Sequence, residues 1–421
     1  MTEDSFAQHT RNERERESRR TWLTALALAV AALTIFLWGI NKPQSVFYDE
    51  VIYVDSAKAF LAGGATNAEV PPLGKLLIAA GIKTFGDNAL GWRVMGSFFG
   101  ALTIAGVFVW VYLLVHDYAL ASTAAILALL NNFLYVMSRV AMMDIFLVGF
   151  LIWGLVAFTM LLEMDELSVT QRRMLLAGSG AMFGFACACK WNGVDTLGVV
   201  ILIATGLLWG AKRSKNEAIL RHGRNLRQAG IVPSLLGLLV VPVVAYSATY
   251  WPLCHSLHRS FSLGELVTMN VSIWRLHRAD LGNPGIASKW YSWIFQVGPQ
   301  RALSYLVGNW VIMWGGLLAL GFCIRRMFNF LPEAFVVALY GGNLLQWAIT
   351  PQKYLYYYYY FPAAMFLGVA IPVALHRLPH RIFGVRLSVI CVAAAGCVFL
   401  YCLPQMAHLE APFDCALTCW P

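Results

Sequence analysis

The feature that most constrains this chain is a succession of eleven apolar runs. They lie near residues 21–40, 91–115, 118–136, 140–162, 173–190, 194–211, 229–252, 303–324, 329–349, 356–375 and 386–403. Most approach the ~20 residues an α-helix needs to cross the hydrocarbon core of a bilayer. Only 13% of the residues are charged and 59% are hydrophobic, whereas a soluble domain carries about 25% charged residues. Too little polar material remains to cover a water-facing globule. Disorder, collagen-like repeats and a disulfide-rich secreted scaffold are excluded. The run at 21–40 is too long for a signal-peptide core and lacks a convincing small-residue cleavage site, so it reads as a retained first helix. The expected fold is an all-α polytopic membrane protein of about eleven transmembrane helices.

The net charge of +9 would suggest nucleic acid in a soluble protein. Here the basic residues fall between apolar runs, which points to orientation and to anionic lipid headgroups rather than nucleic acid. Residues 1–20, with Arg11, Arg14, Arg16, Arg19 and Arg20, read as a mobile basic tail. This tail, Arg172–Arg173, Lys212 to Arg227, Arg325–Arg326 and His376 to Arg386 all reach one side if every run spans. The positive-inside rule makes that side cytoplasmic, with the carboxyl-terminal tail 404–421 outside. A transmembrane domain over 21–403 then carries two long outside loops, 41–90 and 253–302. In the first, Glu50 to Leu61 and Leu73 to Phe85 read as amphipathic interfacial helices separated by Gly63-Gly64 and Pro71-Pro72. No soluble domain or internal repeat is evident. The nine cysteines show no metal spacing; Cys187 and Cys189 sit in an apolar run, and a Cys415–Cys419 disulfide is left open.

Polar residues gather at the outside ends of the runs. Phe47-Tyr48-Asp49-Glu50 follows the first run; its carboxylates suit either interfacial solvation and a helix N-terminus or a general base for an acceptor hydroxyl. Glu69-Val70-Pro71-Pro72-Leu73-Gly74-Lys75 is a rigid turn whose Pro72 suits the first turn of a helix. Arg93 in Gly91-Trp92-Arg93, Arg139 and Asp144 in Ser138 to Asp144, and Lys190 with Trp191 and Asn192 in Lys190 to Gly193 complete the set. Each cation can snorkel to lipid phosphates, but several converging on one face favour a site. One candidate base beside several cations is what transfer from a lipid phosphate requires: donors for the anionic leaving group, and a carboxylate to take the acceptor proton.

These motifs, in this order and spacing, resemble the protein O-mannosyltransferases of glycosyltransferase family 39, within the polytopic GT-C superfamily. The resemblance extends through His277, Asn283-Pro284, Ser288-Lys289-Trp290-Tyr291-Ser292-Trp293 and Gly308-Asn309 to Tyr360-Phe361-Pro362-Ala363, covering about residues 45–370. It implies a GT-C bundle and a dolichyl- or polyprenyl-phosphate sugar donor, used with inversion on the non-cytoplasmic side of a bacterial plasma membrane. It also implies that Asp49 is the base and that Arg93 and Arg139 belong to the essential polar set; Lys190, a cation on the same face, is read with them at the donor phosphate. Mannose and a Ser/Thr acceptor are favoured by resemblance. The chain departs from the family at Val70, Asn283 and Tyr359, where the family usually has His, and it lacks the soluble insertion of eukaryotic members. These departures bear on the acceptor and the sugar more than on the donor phosphate.

Several residues keep two readings. The run Tyr356 to Tyr360 suits an interfacial aromatic belt or sugar and lipid contact. His277 suits a structural hydrogen bond or a site role, and Trp290 and Trp293 suit headgroup anchoring or an acceptor groove. Cys254, His255 and His258 lack a diagnostic metal spacing and read as loop residues. A divalent cation is left open. Two other functions stay in view: a lipid-linked-sugar transferase acting on lipid A or a cell-envelope glycan, and a flippase. A flippase would tend to show half-repeats and midplane binding residues.

Overall fold

A computed structural model describes residues 3–46, 49–210, 215–279, 287–296, 308–350, 352, 354–378, 381–382 and 385–407. The chain is helical apart from one short antiparallel pairing of Arg381–Ile382 with Val385–Arg386 among the described residues. Its first ten helices are α1 (Glu3–Leu37), α2 (Glu50–Leu61), α3 (Leu73–Phe85), α4 (Ala89–Val115), α5 (Tyr118–Leu129), α6 (Asn132–Met137), α7 (Met143–Glu163), α8 (Val169–Cys189), α9 (Gly193–Gly210) and α10 (Glu217–Ala229). The span Ile231–Ser256 contains a π-helical stretch at Leu236–Val240. Leu263–Arg278, Trp310–Ile324, Leu331–Leu345, Phe361–Leu375 and Leu387–Ala407 follow.

Among the described residues, seven helices are long and apolar enough to cross a membrane, with Tyr118–Leu129 and Trp310–Ile324 as shorter apolar helices. This is a multi-pass membrane protein. Its spans differ sharply in burial. Ala89–Val115, Met143–Glu163 and Tyr357–Leu375 are 83%, 78% and 94% buried, whereas Glu15–Leu37 and Leu387–Pro404 are each 22% buried. The first three therefore form the protein core and the last two face outward with apolar side chains, as a bilayer solvent demands. Small residues set the closest approach: a side chain at Gly180 would collide with the Gly237 carbonyl, and one at Gly184 with that of Pro242, so α8 and Ile231–Ser256 pack backbone to backbone.

Both interfacial helices expected in the first outside loop are present with the expected bounds, as α2 and α3. Elsewhere local chemistry rearranges the expectation. The basic stretch before residue 21 is helical from Glu3 and continuous with the first span. Its Glu13–Arg16, Glu15–Arg19 and Glu17–Arg20 spacings favour helix. Tyr112 donates a hydrogen bond to Glu17, and Arg20 lies 4.3 Å from the Tyr118 ring centroid, so the end of this segment is docked rather than loose. The run 118–136 breaks at Leu130, where Asn131 caps α6 by accepting from the Phe133 amide at 3.0 Å. Asn309 donates to the freed Leu130 carbonyl at 3.0 Å. The basic Lys212–Arg227 stretch holds the helix α10, and the segment 253–302, expected as a loop, carries Leu263–Arg278 and a 3-10 turn at Trp290–Phe295. Phe47, Tyr48, Asn283-Pro284, Cys415 and Cys419 lie outside the described residues.

Candidate active site

A cavity of about 530 Å³ opens among the α1–α2 connector, the α2–α3 turn, the Lys190–Asp195 turn, the end of Leu263–Arg278 and the segment Gln346–Tyr359. Asp49 lies in its wall and accepts a 2.8 Å hydrogen bond from the Tyr358 hydroxyl to Oδ2. Burial pushes the Asp49 carboxyl above its usual range; the Tyr358 hydroxyl and the Lys190 charge oppose that shift. Burial acts because it penalises the ionised form, while a donor and a cation favour it. The result is a carboxylate both reachable and more basic than one in water.

Lys190, at the C-terminal end of α8, is the described lysine or arginine side chain that lines this cavity. Its Nζ lies 2.9 Å from Asp144 Oδ1, 4.3 Å from the Tyr359 ring centroid and 5.4 Å from that of Tyr358. Asp144 is buried in the first turn of α7 and leaves its second oxygen without a partner. A buried carboxylate and two aromatic faces thus fix the ammonium beside Asp49, with 12% of its side chain exposed.

Arg93 and Arg139, expected at the donor phosphate, do not line this cavity. The Arg93 side chain is fully buried and all five of its N–H groups are committed. It binds Glu50 bidentately at 2.8 Å and 2.8 Å, and donates to the carbonyls of Ile40, Pro43 and Ser45 at 3.2, 2.7 and 3.0 Å. No donor is left for a ligand. Glu50, expected beside Asp49 as a catalytic group, is likewise fully buried and accepts from the Ala141 amide at 2.7 Å. Arg139 donates to the Phe36 and Trp38 carbonyls at 2.7 and 2.5 Å. Those oxygens end α1, where a cation satisfies orphan acceptors and complements the helix dipole. The two arginines therefore fasten the α1–α2 connector that presents Asp49.

Lys75 does the same for the next turn. Its buried Nζ contacts the Asn67 and Val70 carbonyls at 2.7 and 2.8 Å and Asn67 Oδ1 at 3.2 Å. Burial pulls its pKa down to about 7, with the nearby Glu69 charge opposing. Asn67 in turn donates to the Ile52 carbonyl at 3.0 Å, stapling this turn to α2. Glu69 so reaches the cavity, its carboxyl held above the usual range by burial and then by the Asp49 charge.

The opposite wall is tied together by side chains. Trp191 Nε1 donates to the Tyr246 hydroxyl at 3.0 Å, Asn192 Nδ2 to Gln346 Oε1 at 2.6 Å, and Gln352 Nε2 lies 2.6 Å from His277 Nδ1. Burial, then Lys190, lowers the His277 pKa. Trp290 and Tyr360 do not line the cavity. Tyr360 is buried and shares a 2.9 Å hydrogen bond with Tyr340, and Trp290 packs at the edge of the core. The 3-10 geometry of Tyr357–Tyr360 explains the choice: Tyr357 and Tyr360 fall together toward the core, while Tyr356, Tyr358 and Tyr359 face the cavity. Sequence reading missed Tyr53, Asp195, Trp274, Gln346, Trp347 and Gln352 in the wall. Among them only Asp195, a carboxylate within an apolar run, carried a local signal. Among the described residues no group of three His, Cys, Asp or Glu side chains could hold a metal ion.

A helical bundle of this kind is the fold of GT-C membrane glycosyltransferases. The S. cerevisiae protein O-mannosyltransferase Pmt1-Pmt2 complex bound to the sugar donor superposes with a TM-score of 0.76 at 13% identity, over 92% of this chain and 90% of that one. ArnT from Cupriavidus metallidurans bound to undecaprenyl phosphate superposes with a TM-score of 0.63 at 18% identity, over 90% and 64%. Residues 80–258 match the family described as dolichyl-phosphate-mannose-protein mannosyltransferase. The polyprenol-phosphate-mannose–protein mannosyltransferase of Mycobacterium tuberculosis is 24% identical over 85% of this chain and 81% of its own length. That of Mycolicibacterium smegmatis is 27% identical over 55% and 49%. The chain is similar in sequence to these protein mannosyltransferases, and it is a glycosyltransferase.

Proposed function

We propose that the chain transfers mannose from a polyprenyl-phosphate carrier to a Ser or Thr hydroxyl of a protein, on the non-cytoplasmic face of the cell membrane. The observation that carries this reading is Asp49, a buried-side carboxylate of raised basicity held at 2.8 Å by Tyr358 in a cavity wall shared with Lys190. The acceptor oxygen attacks the anomeric carbon from the face opposite the phosphate, and its proton passes to Asp49. The bond from that carbon to the phosphate oxygen breaks, and the electron pair leaves with polyprenyl phosphate, whose growing negative charge faces the Lys190 ammonium. Configuration inverts. A phosphate is a weak enough base to leave without a separate proton donor.

Glu50, Arg93, Arg139 and Lys75 act as positioning residues, holding the two turns that present Asp49 and Glu69. The names of the relatives favour a protein acceptor over lipid A, and the cavity beside the outer loops suits transfer rather than passage across the bundle. With the basic segments inside, tags at the amino terminus and near residue 216 report cytoplasmic, and a tag within 253–302 reports outside.

The test is Asp49→Asn, which keeps shape and hydrogen bonding but removes the basic lone pair. Loss of a general base costs about 100- to 10,000-fold, so single-turnover transfer collapses while binding of polyprenyl-phosphate mannose in nanodiscs persists. Transfer near the unsubstituted rate would remove Asp49 as the base.

A further inference from the structure

We propose that Asp195 is a specificity-determining residue that accepts hydrogen bonds from hydroxyl groups of the donor hexose. The proposal rests on the transfer reading above, because it takes the Lys190 ammonium as the contact for the donor phosphate.

Asp195 stands in the first turn of α9 and lines the cavity, five residues beyond Lys190 on the same turn. An ionisable side chain at the end of a membrane helix and aimed inward is costly to keep, so a partner or a function is expected of it. Apart from its own backbone amide, no described side chain donates to it. The polar side chains of the same wall bond to other partners. Asn192 Nδ2 donates to Gln346 Oε1 at 2.6 Å, and Gln346 Nε2 to the Asn343 carbonyl at 3.1 Å. Asn343 Nδ2 donates to Thr196 Oγ1 at 3.0 Å and to the Leu339 carbonyl at 2.9 Å. Trp191 Nε1 is taken by Tyr246. The Asp195 amide donates to the Asn192 carbonyl at 3.2 Å, and its carboxyl group faces the cavity with no side-chain donor among the described residues.

What the cavity would bring to those lone pairs follows from the donor's covalent structure. The hexose is bonded directly to the phosphate, so with the phosphate at Lys190 its ring lies within one sugar unit of the same turn. Sugar hydroxyls are donors, carboxyl oxygens accept from them, and adjacent hydroxyls can share one carboxyl group. Trp191 and Trp347 supply apolar surface in the same wall for the ring's C–H face. A site built to bind hydroxyls discriminates strongly against a sugar that misplaces them.

The experiment measures binding to nanodisc-embedded protein of three ligands: polyprenyl phosphate, polyprenyl-phosphate mannose and polyprenyl-phosphate glucose. Asp195→Asn is expected to weaken the mannose donor ~10- to 100-fold while bare polyprenyl phosphate stays within about twofold. Asp195→Glu keeps the carboxyl group at the helix N-terminus and serves if the amide variant fails to fold. Its carboxylate is displaced by one methylene, so it is expected to retain bare polyprenyl phosphate and to change the mannose-to-glucose affinity ratio. Equal weakening of donor and bare lipid phosphate, or an unchanged ratio in Asp195→Glu, overturns the proposal. Sugar transfer by the unsubstituted protein is followed in parallel. Absent transfer with Asp195-dependent sugar binding sinks the transfer reading alone; normal transfer with Asp195-independent binding sinks this proposal alone.

Discussion

The two sides of Asp49 are built from the same residue types and differ in what is left over. Behind it, Glu50, Arg93, Arg139 and Lys75 are buried; Arg93 spends all five N–H groups on Glu50 and backbone carbonyls, and Arg139 Nη1 and Lys75 Nζ also donate to backbone carbonyls. In front, Lys190 and Asp195 keep part of their surface in the cavity, and Asp144 keeps an oxygen without a partner. A guanidinium with five partners has nothing to offer a ligand, whereas an ammonium with one carboxylate and two ring faces does. The difference teaches that a charged residue in a functional motif can serve the reaction through the backbone it holds. Satisfaction of donors, rather than charge, separates holding from contact.

The largest expected effect lies on the holding side. Arg93→Ala strands the fully buried Glu50 and frees three carbonyls of the connector, which costs about 3–5 kcal/mol of stability. Thermal unfolding of the purified protein, read beside single-turnover transfer, should show both falling together. Pairing Glu50→Leu with Arg93→Met replaces the ion pair by apolar volume and should recover much of the stability. Transfer should stay low, because the carbonyls of Ile40, Pro43 and Ser45 still lack their strap. Full stability in Arg93→Ala with selective loss of donor affinity would move this arginine to the contact side.

On the contact side the effect should appear in binding with little change in the fold. Lys190→Gln alone would leave Asp144 buried and uncompensated, so the informative variant carries Asp144→Asn as well and removes the pair as a unit. Losing a charge-assisted contact to the donor phosphate should weaken polyprenyl-phosphate binding ~10- to 100-fold. Unfolding temperature should move much less than in Arg93→Ala. Unchanged affinity for the lipid phosphate would place the leaving group elsewhere in the cavity.

Much of this was legible in the sequence because the strongest signals are the ones a membrane imposes. Long apolar runs mark the helices wherever they lie, and amphipathic spacing marks α2 and α3 to the residue. Asp49 and Lys190 were visible as charges at run ends, and both line the cavity. The roles of Arg93 and Arg139 were not, because their partners are main-chain carbonyls of the 36–45 segment, which have no sequence signature. Tyr358 could not be told from Tyr360 for a similar reason: within five consecutive tyrosines only the turn geometry decides which rings meet the cavity. The helix before residue 21 was hidden by its own charge density, which resembles a solvated tail until the i,i+3 and i,i+4 pairs are counted.

The finest distinction concerns the single hydroxyl that joins Asp49 to the cavity wall. Tyr358→Phe removes that 2.8 Å hydrogen bond and keeps the ring packed, a change of about 1 kcal/mol. Burial already raises the Asp49 pKa, and the hydroxyl works against it by favouring the ionised form. A base is competent only when deprotonated, so transfer by the unsubstituted protein is present above this raised pKa. It is lost as pH falls through it, at a pH higher than for an aspartate in water. Without the hydroxyl the pKa rises further, and the acid limb of single-turnover rate against pH moves upward. Well above the limb the carboxylate is ionised in both proteins, and the variant's base is slightly stronger, so the plateau should differ by no more than a few fold. The measurement is the pair of pH–rate profiles in nanodiscs at saturating donor. An acid limb that stays in place or moves downward would show that Tyr358 does not stabilise the Asp49 carboxylate. A plateau lowered by orders of magnitude would instead put the hydroxyl among the groups that contact substrate.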